Sequence, residues 1–213
     1  MNLQDGGSGG VVAQSYGSDL SGFGSESNKG SWNLRSISID AGLTQESSDS
    51  VQFDKEGRLK SLSELINALS ELFSQQKLAV LATQGESGPY GNLVAFLASL
   101  DLRSLIFATP KATRKFSNMI ECPMVAFVID NRSNSLDDFF QAVVVTAIGR
   151  ASELKSHDRE SFLELYERKH PNLRDFASDP GCALMKIDVE KYTCVFRFQN
   201  VLELYWQGRE LTA

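Results

Sequence analysis

Cysteine, histidine and proline are all scarce in this chain. The three cysteines among 213 residues, Cys122, Cys182 and Cys194, form no close pair. That spacing excludes a zinc knuckle or a redox dithiol motif and leaves them as small buried apolar residues. The two histidines, His157 and His170, stand on or beside a charged stretch. The pattern predicts surface positions for both and gives little support to a metal or haem ligand. Long apolar runs are missing too. No segment reaches the roughly eighteen apolar residues that a membrane-spanning helix requires. The first residues lack the basic start and apolar run of a signal peptide. Basic charge falls short, with Lys+Arg 21 against Asp+Glu 27, a net charge of -6 and a pI near 5.0. A general nucleic-acid binder needs a basic surface. These absences predict a reduced, cytoplasmic protein with neither nucleic acid nor membrane as partner.

What is present divides unevenly along the chain. Eight of the 16 glycines fall within residues 1–30, mixed with Ser, Asn, Gln and Asp. Such a composition buries too little apolar surface to offset chain entropy. Residues 1–58 are therefore expected to be a Gly/Ser-rich, largely flexible extension. Val11-Val12 and the alternation Leu34-Arg35-Ser36-Ile37-Ser38-Ile39 are its only strand-like stretches. Residues 59–213 have the composition of one globular domain. Ser61-Leu62-Ser63-Glu64 reads as a capping box, and Leu62, Leu65, Ile66, Leu69, Leu72 and Phe73 follow at helical spacing. Strand-like runs cover 78–83, 92–99, 104–109, 124–130, 142–154, 183–189 and 192–206. Helices are predicted over 111–121, stopped by Pro123, and 157–170, stopped by Pro171. So few helices cannot supply the crossovers of a doubly wound parallel sheet. A mainly β (α+β) fold, an antiparallel barrel with flanking helices, is the expectation.

The chemistry concentrates in residues 79–134. Phe107-Ala108-Thr109-Pro110-Lys111-Ala112-Thr113-Arg114-Lys115-Phe116 ends a strand, turns on a proline and opens a helix with a hydroxyl, a guanidinium and an ammonium. Helix N-terminal N–H groups and the macrodipole favour an anion there, and Arg and Lys add charge-assisted hydrogen bonds. A phosphate suits that set, and the phosphate tail of a flavin is the ligand inferred.

The order of motifs resembles the FMN-binding split-barrel family related to pyridoxamine 5′-phosphate oxidase. The resemblance runs over roughly residues 60–205. It is carried by Ala79-Val80-Leu81-Ala82-Thr83, Pro89-Tyr90-Gly91-Asn92-Leu93-Val94-Ala95-Phe96, the block ending at Phe116, Asp130-Asn131-Arg132-Ser133-Asn134, Val145-Thr146-Ala147-Ile148-Gly149-Arg150-Ala151 and Arg197-Phe198-Gln199-Asn200-Val201. It implies a six-stranded antiparallel Greek-key split barrel, a homodimer, and one FMN in each of two clefts between subunits. Position by position, Thr109, Thr113, Arg114 and Lys115 correspond to the phosphate and ribityl grip. Asn92, Val94 and Ala95 correspond to the strand along the flavin ring. Asn131 and Arg132 correspond to the cleft at the next strand end, a stretch that otherwise reads as a polar turn. Gln141 corresponds to a glutamine reaching the flavin across the dimer.

The same resemblance shows departures from the oxidase proper. Asn92 stands where that enzyme has arginine, and Leu97 where it has lysine. His170-Pro171 replaces Arg-Pro. The stretch Trp206-Gln207-Gly208-Arg209-Glu210-Leu211-Thr212-Ala213 lacks an Arg-x-His signature. An FMN-dependent oxidoreductase acting on another small molecule or electron donor is the expected function, with no catalytic residue assigned. A flavin-binding or sensing protein without turnover, and a haem-binding or F420-binding split barrel, are the alternatives.

Overall fold

A computed structural model describes residues 31–38, 44–45, 61–196 and 200–207. In chain order they form β1 (Ser31–Ser38), β2 (Thr44–Gln45), α1 (Leu62–Gln75), β3 (Leu78–Gly85), β4 (Gly88–Ala95), β5 (Leu97–Ala98), β6 (Ser104–Pro110), α2 (Arg114–Glu121), β7 (Met124–Asp130), α3 (Asp138–Gln141), β8 (Val143–Glu153), α4 (Ser156–Lys169), a 3₁₀ turn (Pro171–Leu173), α5 (Arg174–Ser178), β9 (Cys182–Phe196) and β10 (Asn200–Gln207).

The organising element is β9, 15 residues long. Its first half pairs with β6, from Ser104↔Asp188 to Pro110↔Cys182, while β8 runs along its other edge from Glu153↔Met185 to Val143↔Phe196. The sheet continues through β7 and β3 to β4, every pairing antiparallel. β4 comes back against β6 without a hydrogen-bonded ladder. Six strands, β6-β9-β8-β7-β3-β4, thus make the predicted split barrel, open along one seam.

Alternation along the strands fills the interior. Val125, Phe127 and Ile129 of β7, Val145 and Ala147 of β8, and Leu81 of β3 point inward and are buried. Each of the larger side chains among them contributes about 1.5–3 kcal/mol. The stripe predicted on α1 closes one end, with Leu65, Leu69, Leu72 and Phe73 buried. Its Phe73 ring lies 6.2 Å from Phe96 and 5.6 Å from Tyr192. The N-cap bond of the capping box forms as read, Glu64 N donating to Ser61 Oγ at 3.2 Å.

Several expectations are revised. The separate strands read over 183–189 and 192–206 are instead one unbroken β9 followed by β10 from Asn200. Glu190-Lys191, the gap between those runs, does not break the strand: Glu190 is the extra residue of a β-bulge, where the register steps from Gly149↔Val189 to Ile148↔Lys191. Gly149 permits that step, because a Cβ there would lie 2.2 Å from the Asp188 carbonyl oxygen. The helix read from 111 begins only at Arg114, and the short α3 and α5 carry too little periodicity to be legible. His170 is not a surface residue but is 7% exposed, because the 3₁₀ turn at Pro171 folds the end of α4 onto β4. Cys182 and Cys194 are buried as read.

Most of residues 1–58, Val11-Val12 included, lie outside the described residues. Within that segment β1 pairs along β10, Trp32 opposite Trp206. The Trp32 indole is 9% exposed, 5.2 Å from the Trp206 ring and 5.4 Å from Tyr192. Among the described residues no helix is long and apolar enough to cross a membrane.

Candidate functional site at the start of the second helix

β6 delivers Thr109 to the rim of the barrel, fully buried. Pro110 ends the strand, and a turn follows in which Thr113 N and Thr113 Oγ1 both donate to the Pro110 carbonyl, at 3.2 and 2.8 Å. Oγ1 of Thr113 also lies 3.2 Å from Oγ1 of Thr109. The predicted pair of hydroxyls is therefore one unit. Thr113 occupies the N-cap of α2, yet its hydroxyl makes no cap hydrogen bond to the helix. Phe116 N and Ser117 N donate to the Thr113 carbonyl at 3.0 and 3.2 Å, so the first two N–H groups of α2, those of Arg114 and Lys115, are left for another partner.

The cations differ in their engagements. Lys111 pairs with Glu153 at 2.7 Å, which neutralises it. Arg114 is exposed and Lys115 half-buried; among the described residues neither forms an ion pair. The Arg114 guanidinium donates to Ser87 Oγ and lies 4.8 Å from the centroid of the Tyr90 ring. It lines a cleft of about 320 Å³ with Glu86, Ser87, Asn118 and Glu121. Two unneutralised cations and an uncapped helix start can hold a doubly charged oxyanion, on a turn that the Thr109–Thr113 hydroxyl pair braces.

The β4 residues are placed differently from one another. Asn92 lies opposite Leu81 and Val94 opposite Ala79, so both face the barrel interior. Val94 is buried, and Nδ2 of Asn92 is buried with no hydrogen-bond partner. Ala95 and Leu93 face outward, Leu93 with 64% exposure. The outward face of the strand presents Leu93, Ala95 and backbone, where Val94 offers only its main chain.

Asn131, Arg132 and Gln141 stand apart within the chain. Asn131 Oδ1 accepts from Val143 N at 2.7 Å, and Arg132 pairs with Asp130 at 3.1 Å. Both close the β7–β8 connection, as a polar turn would. Asn131 lines a separate cavity of 220 Å³ with α1, Val143 and Phe196. Gln141 is the exposed last residue of α3. Asp138 organises the same loop: a hydrogen bond from the Ser133 backbone leads the contacts that hold its carboxyl below the usual range.

Other titratable groups nearby are structural. Burial pushes the Tyr166 phenol up to about 12, and its hydroxyl donates to the Ala95 carbonyl at 3.3 Å. Burial likewise raises the Cys182 thiol, which leaves it protonated and unreactive. No group of three or more His, Cys, Asp or Glu among the described residues is placed to hold a metal.

Comparison with known proteins agrees with this frame. The family model for pyridoxamine 5′-phosphate oxidase matches residues 65–196, from the body of α1 to the end of β9. The chain belongs to the pyridoxamine 5′-phosphate oxidase family. Among curated proteins none matches it in sequence. Solved structures with the same fold include ChuZ from Campylobacter jejuni, with 15% identity over 68% of this chain and 61% of that one and a TM-score of 0.57. A heme-binding protein from Mycobacterium smegmatis has 14% identity over 61% of this chain and 53% of its own, with a TM-score of 0.55. HutZ, a heme storage protein from Vibrio cholerae, has 16% identity over 58% and 89%, with a TM-score of 0.52. This chain spans little more than half the length of the mycobacterial protein. At such identities the likeness is one of fold, and fold within this family does not fix chemistry.

Proposed function

We propose that this member of the pyridoxamine 5′-phosphate oxidase family binds FMN and acts as an FMN-dependent oxidoreductase on a small molecule. The observation that carries the reading is the pair of unneutralised cations, Arg114 and Lys115, beside the Thr109–Thr113 hydroxyl pair at an uncapped helix start. Those groups fit a phosphate monoester. Arg114 and Lys115 hold it at the turn that Thr109 and Thr113 brace, while Leu93, Ala95 and the β4 backbone offer an apolar wall to the ring and exclude water. The flavin, when bound, supplies reversible two-electron chemistry.

The reading includes a homodimer. Asn131, Arg132 and Gln141 do not meet the α2 site within one chain, and the reading assigns them to a site shared with a second copy. Leu93, Leu136 and Phe140 are large apolar side chains exposed at 64%, 81% and 71%, which favours burial against a partner. Closed two-fold dimers are the commonest assembly.

A haem-binding role, as in the mycobacterial heme-binding protein and HutZ, has less support. His170 spends its Nε2 on the Phe96 carbonyl at 2.8 Å and is buried, so it is not available as an axial ligand. Pyridoxine 5′-phosphate is also disfavoured as substrate: Leu97 is packed among Ala95, Phe162 and Leu163 around the smaller apolar cluster and offers no charge to a second phosphate.

Purification followed by mass spectrometry of the released chromophore tests the reading, with FMN at about one per subunit as the expected result. A colourless protein that fails to bind added FMN in a fluorescence titration refutes it.

A further inference from the structure

We propose that Ser87 and Tyr90 are positioning residues, through which the β3–β4 hairpin holds the Arg114 guanidinium ready for the phosphate end of the ligand. This rests on reading the start of α2 as a phosphate site. Neither residue belongs to the Thr109–Lys115 grip; each acts on it through Arg114.

The contacts run from the buried face of α2 out to the guanidinium. Asn118 is 5% exposed, and its Nδ2 donates to Thr83 Oγ1 at 3.0 Å. Thr83 Oγ1 in turn donates to the Tyr90 carbonyl at 3.3 Å. The hairpin also sits close against the helix, since a Cβ at Gly85 would lie 2.6 Å from Asn118 Oδ1. Gly88 closes the turn at φ +105°, a conformation that favours glycine. The hairpin tip therefore cannot move relative to α2 without breaking buried polar contacts. From that fixed tip, Ser87 Oγ accepts from Arg114 Nη2, and the Tyr90 ring lies beneath the guanidinium.

Arginine carries five N–H donors in a planar fork. Ser87 takes one, so the remaining edge stays available to an anion. The ring contact narrows the orientations of an otherwise long and free side chain. Two carboxylates, Glu86 and Glu121, line the same cleft. An untethered Arg114 would be drawn to them and its charge neutralised. Held on Ser87 and Tyr90, it forms no ion pair among the described residues. The tether thus preserves an uncommitted cation beside two acidic neighbours.

FMN and riboflavin share the ring and ribityl chain and differ by the phosphate, so their affinity ratio isolates the grip. The full chain is titrated with each by fluorescence as wild type, Ser87→Ala, Tyr90→Leu, Arg114→Ala and Tyr90→Leu/Arg114→Ala. The wild type is expected to prefer FMN by about tenfold or more, and each hairpin variant to narrow that preference by about threefold to tenfold at unchanged riboflavin affinity. With Arg114 already removed, Tyr90→Leu should leave the ratio where it is. Equal losses for both ligands indicate packing alone and overturn the proposal, as does an unchanged ratio. A wild type that prefers FMN while its hairpin variants keep that preference in full leaves the phosphate site standing and the positioning role refuted. A wild type with no preference for FMN removes both.

Discussion

His170 Nε2 lies 2.8 Å from the carbonyl oxygen of Phe96, which ties the residue after α4 to the end of the strand that carries Ala95. Because a carbonyl only accepts, the ring donates from Nε2. The neighbouring Tyr166 ring lies 4.8 Å away and its hydroxyl holds the Ala95 carbonyl. On the same turn, Lys169 Nζ donates to the Phe73 carbonyl at 2.6 Å and lies 4.3 Å from the Phe96 ring centroid. One turn of α4 thereby fixes the end of α1 and the β4–β5 corner together.

This junction predicts two windows of pH-dependent stability. Burial lowers the His170 pKa, with Lys169 and Lys77 adding repulsion, and burial lowers Lys169 to about 8. A base whose folded pKa is depressed contributes stability above its unfolded value and loses it as pH falls through the folded one. The His170 contribution is therefore present above about pH 6.5 and lost on acidification. The Lys169 contribution is complete above its ordinary value of 10.5 and lost as pH falls through about 8. Unfolding free energies from denaturant titrations should rise by about 1–3 kcal/mol across the alkaline window. Lys169→Met should flatten that rise, and His170→Gln should flatten the acid limb; an unaltered profile in both variants contradicts the assignment.

Arg114→Ala should raise the FMN dissociation constant by about tenfold or more, since a hydrogen bond to a charged group is worth roughly 1.5–3 kcal/mol. Arg174→Ala, which removes a cation paired with Glu167 at 3.1 Å on α5, should leave it within about twofold. Similar losses in the two variants would move the phosphate elsewhere.

Gly149→Ala should destabilise the barrel by about 1–3 kcal/mol through overpacking. The added methyl meets backbone, the Asp188 carbonyl at 2.2 Å, and backbone in a paired strand has little room to yield. Thermal unfolding measures this. A melting temperature equal to wild type would show that the bulge relaxes at no cost.

Trp32→Ala should cost about 3 kcal/mol. The indole packs on Trp206 and Tyr192 and donates from Nε1 to the Asp101 carbonyl at 3.2 Å, so β1 contributes to the core rather than merely trailing beside it. Urea unfolding monitored by circular dichroism checks the value, and an unchanged midpoint would separate β1 from the folded unit.

The sequence by itself determined the α1 stripe, the alternating cores of β7 and β8, and the strand–proline–helix order at Thr109 to Lys115. Each follows from local periodicity or from what one residue does to its neighbours' backbone. Only the tertiary structure decided that Glu190-Lys191 continues a strand, since a bulge is absorbed by the partner strand at Gly149. It alone turned Asn92 and Val94 inward, because the face of a strand is set by the residues paired with it. The tether of Arg114 to Ser87 and Tyr90 was likewise hidden. Twenty-seven residues separate Ser87 from Arg114, and only packing of the hairpin on α2 brings them together. His170 became a buried clamp for the same reason: its chemistry depends on a carbonyl 74 residues away, a distance over which no sequence pattern specifies contact.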